Sequence, residues 1–113
     1  MNDCLFCKIA AGEIPSTKVY EDELVFAFRD INPQMPTHVL IIPKQHIASM
    51  AAVDETDDRT LAALLRTCRL IAKQEGLVNG YRIVSNCGDD ARQSVHHLHF
   101  HILGGAAMKD QMV

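Results

Sequence analysis

The chain has no excess of positive charge. Eleven Lys and Arg stand against fourteen Asp and Glu, for a formal net charge of −3. A surface that follows a nucleic-acid backbone needs a basic stripe, so this balance argues against a nucleic-acid polymer as partner, while a single nucleotide needs only a local pocket. No apolar run approaches the roughly 20 residues that cross a bilayer. Met1-Asn2-Asp3-Cys4-Leu5-Phe6 also lacks the basic start and apolar core of a secretory signal. These absences lead us to expect a cytoplasmic protein with no membrane partner. Tryptophan is missing, and there is no P-loop and no G-x-G-x-x-G, so any phosphate would be held without a glycine-rich nucleotide loop.

Cysteine is sparse as well, at positions 4, 7, 68 and 87. In a reducing compartment, metal binding or plain burial is the expectation rather than disulfides. Cys4-Leu5-Phe6-Cys7 has zinc-knuckle spacing, but no second C-x-x-C completes a four-cysteine site. A thioredoxin-like redox pair would follow a strand and open a helix in a βαβ unit, whereas this pair stands at the chain start. Cys68 falls on the apolar face of a predicted helix and Cys87 in a loop.

What is present is a row of imidazoles, His97-Leu98-His99-Phe100-His101, followed by Ile102-Leu103-Gly104-Gly105. On an extended strand alternate side chains share a face, about 6.6 Å apart. The three rings are therefore expected on one side, with His96, Leu98, Phe100 and Ile102 on the other. Histidine titrates near neutral pH, and such a row suits metal binding, phosphate handling or nucleophilic attack. The approach from Asn86 to Val95 is polar, offering amide, hydroxyl and backbone N–H groups as an anion cradle.

The rest of the chain, 113 residues of ordinary globular composition, is expected to form one domain, 1–113. Phe6 to Ala11 reads as a short helix stopped by Gly12. Thr17 to Tyr20, Leu24 to Phe28, His38 to Ile42 and Tyr81 to Ser85 read as strands, the second and third being continuously apolar and so covered on both faces. Asp30-Ile31-Asn32-Pro33-Gln34-Met35-Pro36-Thr37 is a proline-punctuated loop. Thr56 to Glu75 reads as a helix with an apolar stripe of Leu61, Leu64, Leu65, Cys68, Ile71 and Ala72. Strands, then a helix, then strands predict an α+β domain with a mainly antiparallel sheet.

The stretch from Gln93 to Gly105 resembles the signature of the histidine triad (HIT) family, and Leu5-Phe6-Cys7-Lys8-Ile9, Gly12-Glu13-Ile14-Pro15, Asp30 to His38 and Ile42-Pro43-Lys44-Gln45-His46 match it in order. The resemblance is to the nucleoside phosphoramidase branch. It implies a HIT-like α+β fold whose sheets join across a homodimer. It also implies hydrolysis of purine nucleoside phosphoramidates and related nucleotide conjugates through a covalent nucleotidyl-histidine. By position, His99 is the nucleophile, His101 holds the phosphate with Asn86 and the Val95 backbone, and Gln93 is a further nucleotide-binding residue. Ser94 lies by the leaving group and His38 near the triad. Asp30 and Ile31 meet the ribose, while Phe6, Ile14 and Phe28 wall the purine. Some bacterial members carry a Cys, Cys, His, His zinc site, which here implies structural zinc on Cys4, Cys7, His46 and His97, with no catalytic metal.

Each assignment has a plainer rival. Asp30 suits a loop cap beside Asn-Pro, Phe6, Ile14 and Phe28 suit a core, Asn86 suits a turn and His46 a surface position. At the level of the whole protein the alternatives are a nucleotide-binding regulatory protein with weak catalysis and structural zinc, or a metal enzyme using His97, His99 and His101 as ligands. The chain departs from the family pattern at three places. Ala91 and Arg92 stand where two glycines are usual, His96 replaces a tyrosine, and the tail from Ala106 to Val113 lacks a Trp-Pro-Pro ending. The tail departure bears on the leaving group, and the effect of Arg92 is open.

Overall fold

The computed structural model describes residues 3–113. Helix α1 (Leu5–Ala10) precedes a hairpin of β1 (Lys18–Glu21) and β2 (Val25–Arg29); β3 (Thr37–Pro43) follows, then a 3-10 turn (Met50–Glu55), helix α2 (Asp58–Gln74), β4 (Tyr81–Val84) and β5 (Phe100–Gly104). The strands form one sheet in the order β1-β2-β3-β5-β4, and every neighbouring pair is antiparallel. This is the α+β, mainly antiparallel architecture expected above. No helix among the described residues is long and apolar enough to cross a membrane.

The two faces of the sheet are divided by strand alternation. Val39 and Ile41 of β3 face α2 and join Leu98, Phe100 and Ile102 with Leu64, Cys68, Ile71 and Ala72 in one buried cluster. Leu40 and Ile42 face the other way and join Phe6, Ile9, Phe26 and Phe28 beneath α1. The unbroken apolar run of β3 reflects cover on both faces. Asp57 caps α2, its carboxylate accepting the Thr60 N–H at 2.9 Å, and Gly76 beyond the helix takes φ +69°, as a helix stop requires. Burial pushes the Cys68 thiol up to about 11, so it serves as an inert core residue.

The last strand differs from expectation. It begins at Phe100, and residues 95–97 bend. The Leu98 N–H donates to Ile47 O at 2.6 Å, which draws this stretch away from the sheet and toward the segment after β3. The alternation survives the bend: Leu98, Phe100 and Ile102 still face α2, while His99 packs on Phe6.

Candidate active site and metal centre

β3 and β5 lie side by side, with Leu40 opposite His101, so His38 and the histidine row meet on the α1 face. His99 is buried, its ring centroid 5.0 Å from Phe6 and 5.2 Å from His101. His99 Nδ1 lies 2.7 Å from the His97 carbonyl. A carbonyl only accepts, so Nδ1 carries the proton and the lone pair is on Nε2. Ser85 Oγ in turn donates to the His99 carbonyl at 2.9 Å, fixing the backbone that carries the ring.

The His38 and His101 tautomers follow by the same accounting. The Gln34 N–H donates to His38 Nδ1 at 3.1 Å, so His38 Nε2 must hold a proton. That proton points at His101 Nδ1, 2.8 Å away, with Asp30 Oδ2 at 3.4 Å on the flank. His101 Nδ1 therefore accepts, leaving its Nε2–H as a donor with no protein partner among the described residues. Burial pushes the His101 ring down to about 4, helped by the neighbouring His99 and His38 and opposed by Asp30. Burial also lowers His38, again against Asp30. Both rings are thus neutral at pH 7, and the His38–Asp30 contact is not an ion pair there.

The remaining expected residues fall around this chain of rings. Asp30 uses its other oxygen to accept the Asn32 N–H at 2.8 Å, so it caps the loop and faces His38 at once. Ile31 is 93% exposed beside it. Phe6 and Phe28 are buried with centroids 5.4 Å apart, and Ile14 and Val95 pack against their cluster. Ser94 is exposed. The Gln93 amide accepts the Gly88 N–H and donates to the Ala48 and Val95 carbonyls at 2.8–3.0 Å, so here it braces the loop. Asn86 lines a groove of about 1140 Å³ into which His38 and His101 open, with Met35, Met108 and Met112 as its apolar wall. Arg82 ties the tail down by donating to the Lys109 and Gln111 carbonyls.

A second cluster lies behind His99. Cys4 Sγ and Cys7 Sγ stand 3.3 and 3.4 Å from His97 Nδ1, and Cys7 Sγ 3.4 Å from His46 Nδ1. All four donor atoms fall within 4.8 Å of one another. Tetrahedral zinc with two sulfur and two nitrogen ligands would set N···S edges at roughly 3.6 Å, so the geometry fits. His97 Nε2–H donates to the Pro43 carbonyl at 2.8 Å, which leaves Nδ1 as the donor lone pair, the usual outer support of a ligating imidazole. The triad rings are divided between clusters. His97 belongs here, His101 converges with Asp30 and His38, and His99 belongs to neither group among the described residues.

Gln34, Pro43 and Ser85 went unread in the sequence as parts of the site. Two act through backbone groups that every residue type offers, and a lone serine at a strand exit carries no signal.

A sequence model of the HIT domain matches residues 11–108. The "14 kDa zinc-binding protein" of Zea mays is 54% identical over 106 residues, spanning 92% of this chain and 83% of that protein. "Adenylylsulfatase HINT1" of Arabidopsis thaliana is 49% identical over 106 residues, spanning 92% of this chain and 72% of that protein. The crystal structure of a HIT family hydrolase from Legionella pneumophila Philadelphia 1 is similar with a TM-score of 0.91 at 52% identity, covering 95% of this chain and 96% of that one.

Proposed function

The chain belongs to the HIT domain family, and from that premise we propose that it hydrolyses purine nucleoside phosphoramidates and related nucleotide conjugates through a nucleotidyl-His99 intermediate. The observation that carries this reading is the 2.7 Å bond from His99 Nδ1–H to the His97 carbonyl, which leaves Nε2 as the nucleophile. The hydrolase and adenylylsulfatase names of its relatives support the reaction class.

His99 Nε2 attacks the α-phosphorus, the P–N bond to the amine breaks, and the departing nitrogen takes a proton from solvent to leave as the free amine. The Nε2–H of His101, held by the Gln34–His38 chain, binds a non-bridging oxygen together with Asn86 and the Val95 N–H. Ser94 stands by the leaving group. Water then attacks the same phosphorus from the vacated side and gives up a proton to solvent, the P–N bond to His99 breaks, and the nucleoside monophosphate leaves with His99 again neutral. Asp30 accepts from the ribose hydroxyls, with Ile31 alongside. Phe6, Ile14 and Phe28 flank the base. Zinc, where bound, would be held by Cys4, Cys7, His46 and His97 as a closed structural centre supplying cross-links rather than chemistry. We also read the protein as a single domain over 1–113, a homodimer joined through its sheet, and cytoplasmic.

The test is rapid-quench mass spectrometry with an adenosine phosphoramidate. A nucleotidyl adduct on a peptide containing His99, absent from His99→Ala together with turnover, is the expected result. Undiminished turnover in His99→Ala would overturn the mechanism.

A further inference from the structure

His97 belongs to both halves of the site. Its ring turns Nδ1 toward Cys4 and Cys7 and anchors Nε2–H on Pro43. Its carbonyl, at the other end of the same residue, accepts the Nδ1–H that sets the His99 tautomer. It lies in the bend ahead of β5, outside the strand ladders, so pairing does not hold that carbonyl in place. What holds it is the ring on one side and the Leu98 N–H to Ile47 O bond on the other. The ring has no exposed surface, and its orientation is set by the groups around it.

We propose that a metal bound by Cys4, Cys7, His46 and His97 positions the nucleophile. By locking the His97 ring it holds the His97 carbonyl on His99 Nδ1–H, and so keeps the lone pair on His99 Nε2. The inference rests on the reading of His99 as nucleophile. It makes His97 a positioning residue and the metal centre a determinant of turnover as well as of fold. Without the ion, His97 Nδ1 faces two sulfurs at 3.3 and 3.4 Å, 93 and 90 residues away in sequence, in place of one metal bond. The Pro43 bond then remains as the ring's fixed anchor, so the Nδ1 edge can tilt toward one sulfur or the other and the carbonyl shifts with it. Loss of one such hydrogen bond moves a tautomer population by about tenfold. The tautomer gained has its proton on Nε2 and cannot attack phosphorus.

The experiment compares zinc-loaded protein, chelator-stripped protein, stripped protein given back zinc, and His46→Ala, an exposed ligand position. Zinc content is measured beside the ring ¹⁵N–¹H correlation spectrum, which reports which nitrogen of His99 holds the proton, and beside kcat. Zinc-loaded protein is expected to show one His99 tautomer. The stripped protein and His46→Ala should show a mixture, the Nε2–H tautomer rising about tenfold relative to the other, with kcat lowered in proportion to the competent fraction lost, and zinc should restore the stripped protein alone. An unchanged His99 spectrum in stripped protein that stays folded would overturn the proposal.

If stripping unfolds the chain, His97→Cys decides, because a thiolate at this Cβ reaches nearly as far as an Nδ1-bound ring. That variant should bind zinc and keep the single tautomer, whereas His97→Ala should lose both. A zinc-loaded, folded His97→Cys with mixed tautomers would overturn the proposal too. A zinc-dependent tautomer without any nucleotidyl adduct would sustain the coupling and sink the hydrolase reading instead.

Discussion

His38 Nε2 stands 2.8 Å from His101 Nδ1, and only one proton can lie between them. Because the Gln34 N–H already occupies His38 Nδ1, that proton belongs to His38, and the spare donor of His101 is Nε2–H. The loop between β2 and β3 thus reaches His101 Nε2–H, the donor proposed for the phosphate, through two rings. The expected consequence is that His38→Ala lowers kcat/KM by about 10- to 100-fold, the scale of a misplaced proton donor. His38→Gln should recover part of it, since its amide can donate to His101. Steady-state rates on an adenosine phosphoramidate check this, and equal rates for the two variants would show that the ring only fills space.

The same burial gives stability a definite pH slope. Unfolded histidine titrates near 6.5, while folded His101 is held down to about 4 and His38 is also lowered. As pH falls through 6.5 the unfolded chain binds protons that the native chain refuses, so stability is lost between about pH 6.5 and 4 and is retained above. At 1.36 kcal/mol per pKa unit, His101 accounts for at most about 3 kcal/mol of this. Urea midpoints at pH 7.5 and 4.5 should therefore converge in His101→Asn relative to wild type. The variant leaves the Cys4–Cys7–His46–His97 cluster in place, so metal loss at acid pH affects both proteins alike.

Much of this is legible in the sequence, for physical reasons. The α2 stripe and the two-sided apolar run of β3 are periodic burial patterns; the fold buries Leu64, Cys68, Ile71 and Ala72 of the expected stripe and half-buries Leu61, while Leu65, at its edge, is 58% exposed. The 3-10 turn at Met50–Glu55 went unread because six residues with no buried member carry no periodicity. The bend at His97 was hidden because alternation of side chains is preserved through it. The groups that set the tautomers, the Gln34 N–H and the Pro43 and His97 carbonyls, are backbone atoms, and no choice of side chain advertises them.

Arg92 occupies one of the positions where glycine is usual, and the backbone still behaves as if glycine were there. Its φ is +63°, the one non-glycine positive value among the described residues, and its N–H donates to Asp89 O at 3.0 Å. A side chain in this left-handed conformation costs roughly 1–2 kcal/mol, partly offset by the greater chain entropy that glycine loses on folding. Arg92→Gly is therefore expected to stabilise the protein by about 0.5–1 kcal/mol, read as a raised urea midpoint. A lower midpoint would mean that the guanidinium holds the loop in a way its exposed position does not suggest.

The tail sets the last expectation. Met108 and Met112 of the tail line the groove together with His101, His38 and Met35, and Arg82 pins this stretch through the Lys109 and Gln111 carbonyls. Unbranched thioethers adapt to apolar groups of varied shape. Nucleotide conjugates with aliphatic leaving groups should therefore react faster than those with small polar ones, by at most the roughly 10- to 200-fold that a methylene-sized contact can confer. Arg82→Ala releases the wall without touching the base or ribose side of the site. It should flatten that preference severalfold while inhibition by adenosine monophosphate stays unchanged. A series of alkylamine phosphoramidates of rising chain length, run on both proteins with the monophosphate as inhibitor, separates the two effects. An unchanged preference in Arg82→Ala would remove the tail from leaving-group selection, and a weakened monophosphate would mean that the wall also supports the phosphate pocket.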